Sequence, residues 1–196
     1  VRHAITKLAD HHLVSTKMAA ERVRRMGEHP ESIHITGCPS IDLAAEVIKK
    51  PDLDFDPFTK YGGVGSLMAL NNGYGVVLQH PVTTEYMKSR ERIEETLHAV
   101  HKLGLPALWF WPNVDAGSDD GSRAIRRFRE RDRAQNIHFL KNLPPEGFLE
   151  LLLNARSIVG NSSAGIREAA FFGTPTVNIG TRQRGRECGP NVVHVP

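Results

Sequence analysis

The chain has 196 residues, of which 25 are basic and 22 acidic for a net charge of +3, with 40% hydrophobic and 24% charged residues. That composition can bury a core, and the length suits one α/β domain or a domain with part of another attached. Near-neutral charge argues for local anion sites over a polyanion-coating surface; no run is long enough for a membrane span and no secretory signal opens the chain; Cys38 and Cys188 form neither a disulfide framework nor a zinc knuckle, which fits a reducing cytoplasm.

In chain order, Leu13-Val-Ser-Thr16 reads as a strand end and Lys17 to Gly27 as an amphipathic helix carrying Met18, Val23 and Met26. Ser32-Ile-His-Ile-Thr-Gly37 reads as a second strand, closed by Gly37-Cys-Pro39. Two strands and a helix cannot form a core alone. Residues 1–40 are therefore read as the remnant and linker of a preceding N-terminal domain, which the family resemblance given below implies to be Rossmann-like, and residues 41–196 as a C-terminal domain. A Pro-, Asp- and Gly-rich stretch from Pro51 to Gly65 separates the remnant from the regular part.

Six apolar runs of strand length follow: Gly75 to Gln79, Ala107 to Trp111, Asn136 to Leu140, Ser157 to Gly160, Thr176 to Ile179 and Asn191 to Val195. Between the first two, Ile93, Thr96, Leu97, Val100 and Leu103 fall at helical spacing while Glu91, Arg92, Glu94, Glu95 and Lys102 face away. That pattern is a half-buried helix lying on a sheet. Ser122 to Arg133 and Glu146 to Ala155 supply two more helices. The alternation predicts an α/β fold, a Rossmann-like doubly wound parallel sheet. The Gly180 to Pro190 loop is short for a crossover helix, so the last strand's place in the sheet stays open.

Gly160-Asn-Ser-Ser-Ala-Gly-Ile-Arg-Glu168, between the fourth and fifth of these runs, reads as strand, small-residue loop and helix. The first N–H groups of a helix have no intrahelical partner and the macrodipole is positive there, so an anion is favoured. Ser162 and Ser163 add two hydroxyls on side chains short enough for a diphosphate to approach the backbone. Glu168, one to two turns later, could reach ribose hydroxyls. A serine that merely caps the helix gives the same local pattern. Gly160 and Gly165 have P-loop spacing, but Ile166-Arg167 stands where a Lys-Ser/Thr pair would hold triphosphate and magnesium, and the three glycines of the dinucleotide fingerprint are missing. With the strand order 3-2-1-4-5-6, the first strand's end at Gln79-His80 and the fourth's at Gly160-Asn161 meet at the switch point, where ligands of open α/β sheets bind.

Arg123-Ala-Ile-Arg-Arg-Phe-Arg-Glu-Arg-Asp-Arg133 is the densest charge cluster, yet acids intervene and Phe128 is its one aromatic, so it reads as a solvated helix face and not a nucleic-acid surface. A calcium loop starting at Asp115 would put Asp120 at the required Gly position and Arg126 at the bidentate Glu position, and the paired histidines lack further ligands, so no metal is expected. Ser162-Ser163 lies outside any Gly-x-Ser-x-Gly elbow, which argues against a serine hydrolase.

Taken together, Leu78-Gln-His-Pro-Val-Thr-Thr84, Phe110-Trp-Pro-Asn-Val-Asp-Ala-Gly-Ser118, Gly160 to Glu168 and Phe172 to Glu187 closely resemble the UDP-N-acetylglucosamine 2-epimerase family, as do Arg2-His-Ala-Ile-Thr-Lys-Leu8 and Gly37-Cys-Pro-Ser-Ile-Asp42. His80-Pro-Val-Thr-Thr84 is closer to the hydrolysing branch, which makes N-acetylmannosamine and UDP. The resemblance implies one half of a GT-B-like two-domain enzyme with UDP or UDP-N-acetylglucosamine in the cleft. It implies Ser162 and Ser163 at the diphosphate, Glu168 at the ribose, and His80, Asn113 and Arg182 as further UDP contacts. No cofactor, nucleic acid or membrane partner is implied, and the full-length enzyme is expected to be a homo-oligomer. The family's acid and base lie in the N-terminal domain, so the isolated chain is expected to lack turnover, and the family's C-terminal helices are expected beyond Pro196. In some hydrolysing relatives the region of Arg123 and Arg126 takes part in feedback inhibition by an acidic sugar nucleotide. A non-catalytic UDP-sugar binding module and a GT-B glycosyltransferase domain are the alternatives.

Overall fold

A computed structural model describes residues 2–112, 118–132 and 134–196. They fall into two compact units, Val1–Leu43 and Ala44–Pro196. The first holds α1 (Arg2–Leu8), β1 (His12–Val14), α2 (Lys17–Arg25) and β2 (Ile33–Ile35), with β1 and β2 paired as a two-stranded parallel sheet. Thr16 starts α2 by accepting the Ala19 N–H on its hydroxyl at 3.1 Å. Helix α3 (Pro39–Val47) runs across the division between the units.

The second unit continues through α4 (Pro57–Tyr61), β3 (Val64–Gly65), β4 (Gly75–Leu78), α5 (Ser89–Leu103), β5 (Ala107–Phe110), α6 (Ser118–Asp132), β6 (Ile137–Leu140), α7 (Pro145–Leu153), β7 (Ser157–Gly160), α8 (Ser163–Ile166), α9 (Glu168–Phe172), β8 (Thr176–Ile179) and β9 (Val192–Val195). The sheet order is β3-β6-β5-β4-β7-β8-β9. From β6 to β9 every pairing is parallel and the order is 3-2-1-4-5-6 in the six apolar runs, with β9, whose place the sequence left open, at the outer edge beside β8. The Pro51–Gly65 stretch is not merely a linker. Asp56 caps α4 by accepting the Phe58 and Thr59 N–H groups, and β3 adds an antiparallel strand to β6.

Side chains alternate across a strand, so neighbouring residues of one strand fill opposite layers. Val77, Trp109, Ile137 and Phe139 pack against Ile93 and Leu97 of α5 and Ile125 and Phe128 of α6. Val76, Leu108, Phe110, Leu140 and Ile158 pack on the other face against Leu151 and Leu152 of α7 and Ala169 of α9. Strands β5 and β6 are buried along their whole length, as expected of a sheet covered on both faces. In the second layer the Tyr74 hydroxyl donates to the Leu151 carbonyl at 2.8 Å, and burial pushes its phenol pKa up. With every strand from β4 to β9 pointing the same way, their carboxyl ends share one edge of the sheet.

Candidate functional site

The site is built where β4 and β7, adjacent in the sheet, both end. Gly160 closes β7 with φ of 135°, and a Cβ there would lie 2.3 Å from the Leu78 carbonyl oxygen of β4. Glycine is thus required twice, by the dihedral and by the close approach of the two backbones. The following N–H, of Asn161, donates to that same Leu78 oxygen at 3.1 Å.

Asn161 is 1% exposed and fastens the two strand ends together. Its Nδ2 donates to the His80 carbonyl at 2.8 Å and its Oδ1 accepts the His80 N–H at 2.7 Å. Its own carbonyl accepts from Gln183 Nε2 at 2.7 Å and from Arg182 Nη1 at 3.1 Å, which draws in the loop after β8. Gln183 in turn accepts from Arg186 Nη1 at 2.9 Å. Three loops that follow three adjacent strands are therefore held by one buried residue, through its side-chain amide and its main-chain carbonyl.

Ser162 caps α8, accepting the Ala164 N–H on its hydroxyl at 3.3 Å, and the Ser163 hydroxyl accepts from Arg167 Nη2 at 3.2 Å. The helix differs from the sequence expectation. It runs for one turn and breaks at Arg167 (φ −119°, ψ −77°), so Glu168 opens α9 instead of continuing the same helix. A macrodipole grows from aligned peptides, and a single turn supplies little of it. The polar groups at this turn are its amides, the two hydroxyls and the Arg167 guanidinium.

A cavity of about 270 Å³ opens at this edge. His80, Ser162, Ser163, Arg167 and Asn142 supply its polar lining, and Leu78, Phe110, Leu143 and Phe148 its apolar wall. His80, Ser162 and Ser163, picked from separate motifs, thus share one space. Arg182 does not line it and instead holds the carbonyl of Asn161 beside it. Glu168 is 6% exposed, lies 3.4 Å from the Arg167 guanidinium and keeps its Oε2 buried without a hydrogen-bond partner among the described residues. Asn113 falls outside the described residues.

A family model for UDP-N-acetylglucosamine 2-epimerase matches residues 1–196. The chain belongs to the UDP-N-acetylglucosamine 2-epimerase family. It is 33% identical over 194 residues to a UDP-N-acetylglucosamine 2-epimerase of Neisseria meningitidis, covering 99% of this chain and 48% of that protein. It is 31% identical over 195 residues to a hydrolyzing UDP-N,N'-diacetylbacillosamine 2-epimerase of Legionella pneumophila, covering 100% of this chain and 49% of that protein. The chain therefore spans about half the length of the relatives it matches. In fold it matches the Methanocaldococcus jannaschii UDP-GlcNAc 2-epimerase, solved in complex with UDP-GlcNAc and UDP, with a TM-score of 0.65 at 14% identity over 96% of this chain and 51% of that one. Its architecture is the Rossmann-like half of a GT-B-type enzyme.

Within this epimerase-family chain, a larger cavity of about 870 Å³ lies away from the converging motifs, between β3, β6 and α6. Arg126 and Arg129 border it over Trp111 and Phe139, while Arg123 stands apart, 3.6 Å from Asp120. Among the described residues no three His, Cys, Asp or Glu side chains group as metal ligands. To Ser162, Ser163 and Arg182, which the sequence points to, the structure adds Asn161, Gln183, Arg167 and Asn142. Asn142 could have been found, since it follows β6 on the edge where β4 and β7 end.

Proposed function

We propose that this chain is the UDP-binding part of a UDP-N-acetylglucosamine 2-epimerase, and that the full-length protein hydrolyses UDP-N-acetylglucosamine to N-acetylmannosamine and UDP. The observation that carries it is the shared cavity of His80, Ser162 and Ser163 at the carboxyl edge of the sheet, with Arg182 anchored beside it. At about 270 Å³ the space is at the lower limit for a small-molecule site, which suits part of a sugar nucleotide with the remainder projecting into a cleft. The diphosphate lies against the Ser162-Ser163 turn, Glu168 turns its carboxylate out to the ribose, and His80, Asn113 and Arg182 add contacts to UDP.

In the proposed reaction a base takes the proton from carbon 2 of the sugar while the bond from carbon 1 to the diphosphate oxygen breaks. UDP departs with the electron pair and leaves a glycal. Water then adds across the double bond, its hydroxyl at carbon 1 and its proton at carbon 2 on the opposite face. Amides, hydroxyls and a guanidinium held in place before the reaction stabilise the negative charge gathering on the departing UDP. The sequence His80-Pro-Val-Thr-Thr84 supports the hydrolysing branch. The acid and base are assigned outside this chain, so the isolated chain binds UDP and turns nothing over.

Proton NMR of the full-length protein with UDP-N-acetylglucosamine tests the reading. Free N-acetylmannosamine with UDP is expected. UDP-N-acetylmannosamine would move the protein to the non-hydrolysing branch, and transfer of unaltered sugar to an acceptor would make it a glycosyltransferase. Turnover by the isolated chain would overturn the division of labour between the halves.

A further inference from the structure

Arg182 lies on the irregular loop between β8 and β9. After Ile179 the chain turns at Gly180 (φ 72°) and coils through turns closed by Arg184 N–H on the Thr181 carbonyl and Arg186 N–H on the Gln183 carbonyl. A loop hinged on glycine has much conformational freedom to lose when it orders around a ligand. Gln183 anchors its middle to Asn161. Its beginning has a second anchor, which comes from the other side of the site.

That anchor is Glu85, in the short helical turn Thr83–Lys88 that follows His80-Pro-Val82. Glu85 sits at a kink in this turn (φ −135°, ψ 30°), and its Oε1 accepts the Thr181 hydroxyl at 2.6 Å. Its Oε2 pairs with Arg92 Nη2 of α5. The same guanidinium reaches Gly180, its Nη1 lying 3.8 Å from where a Cβ would stand. With side-chain exposures of 25% for Arg92 and 28% for Glu85, the pair is partly shielded from solvent. Both carboxylate oxygens are thus engaged, one by the loop that carries Arg182 and one by a helix packed on the sheet. Thr181 immediately precedes Arg182, so this contact anchors the loop one residue before the guanidinium.

We propose that Glu85 is a positioning residue that latches the Thr181–Arg186 loop to the segment carrying His80, so that Arg182 and His80 meet a nucleoside diphosphate as one preorganised unit. The proposal rests on the UDP reading above. An ordered loop spares the complex the entropy of immobilising it, and that saving appears as affinity for the group the loop contacts. The latch therefore acts on the diphosphate and leaves the nucleoside alone.

Calorimetric titration of the full-length protein with UDP and with uridine, joined to amide hydrogen exchange of residues 181–186 without ligand, tests this. Glu85→Ala is expected to weaken UDP about tenfold and uridine less than about twofold. Thr181→Val should weaken UDP in the same direction, and the double variant should lose no more than Glu85→Ala alone, because both substitutions remove the Thr181–Glu85 bond and Glu85→Ala also removes the pair with Arg92. In an Arg182→Ala background, Glu85→Ala should have no further effect on UDP, and exchange in the loop should speed up in every Glu85→Ala protein. Equal losses for uridine and UDP, additive effects of Glu85→Ala and Arg182→Ala, or unchanged exchange would each overturn the latch. Wild-type protein that ignores UDP would sink the functional reading alone, since loop exchange still decides whether the latch exists.

Discussion

Gly160→Ala probes the contact on which the whole site stands. The added Cβ would lie 2.3 Å from the Leu78 carbonyl oxygen, 2.6 Å from its carbon and 3.2 Å from the Gln79 nitrogen. Relaxed contacts of carbon with these atoms are about 3.3–4.0 Å, so the overlap is about 1 Å against backbone in the middle of a parallel sheet. No flexible side chain can absorb it. The backbone at φ 135° adds about 1–3 kcal/mol of strain for alanine. Parting the strands also strains the Asn161 bond to Leu78 and the paired bonds to His80, each worth about 1 kcal/mol. A total loss of about 3–5 kcal/mol is expected. Gly173→Ala is the control, since Gly173 also has positive φ (77°) but nothing within 4 Å of its Cβ position. It should cost about 1–2 kcal/mol, the dihedral term alone. Urea unfolding with unchanged m-values gives both numbers. Equal costs for the two substitutions would refute the close-approach argument.

Asn161→Ala leaves the His80 N–H and carbonyl without their partner at a buried position. A loss of about 2–4 kcal/mol in urea unfolding is expected, together with weakened UDP binding; a change below about 0.5 kcal/mol would show that the loops hold without it. Glu168→Ala should weaken UDP about tenfold while leaving a UDP analogue without ribose hydroxyls unaffected, because the missing bonds are to those hydroxyls; equal losses would remove Glu168 from the ribose. The Thr181 hydroxyl first, and Arg92 second, hold the Glu85 carboxyl below its ordinary value of 4.5. A depressed carboxyl contributes stability above its unfolded-state pKa and loses it as pH falls through the folded one. Exchange protection of the Thr181–Arg186 loop should therefore stay level from neutral pH down to about 4.5 and fall below it, whereas Glu85→Gln should lack that step.

The sheet was legible because its strands are short apolar runs separated by helices with a clear polar face, and those patterns survive without tertiary information. Strand β3 was not legible: Val64 and Gly65 are both exposed, and two residues carry no periodicity. The break between α8 and α9 was hidden for the opposite reason. Ala164, Ile166, Glu168 and Ala169 all suit a helix interior, and the kink at Arg167 shows only in the backbone. In the site, His80, Ser162 and Ser163 could be joined from sequence because adjacency of β4 and β7 follows from the fold class. Asn161 and Gln183 could not, since a buried amide that ties loops together has the same residue type as an exposed one. The spacing of Glu168 from the serines singled it out, and family resemblance supplied Arg182.

A crystal structure of the full-length protein with UDP tests the central claim most directly. The account predicts diphosphate oxygens within about 3 Å of the Ser162 and Ser163 amides or hydroxyls, with His80 on the same side and Arg182 turned toward the phosphates. UDP lodged instead in the larger cavity beside Arg126 and Arg129, with the space between His80 and Ser163 filled by water, would contradict it.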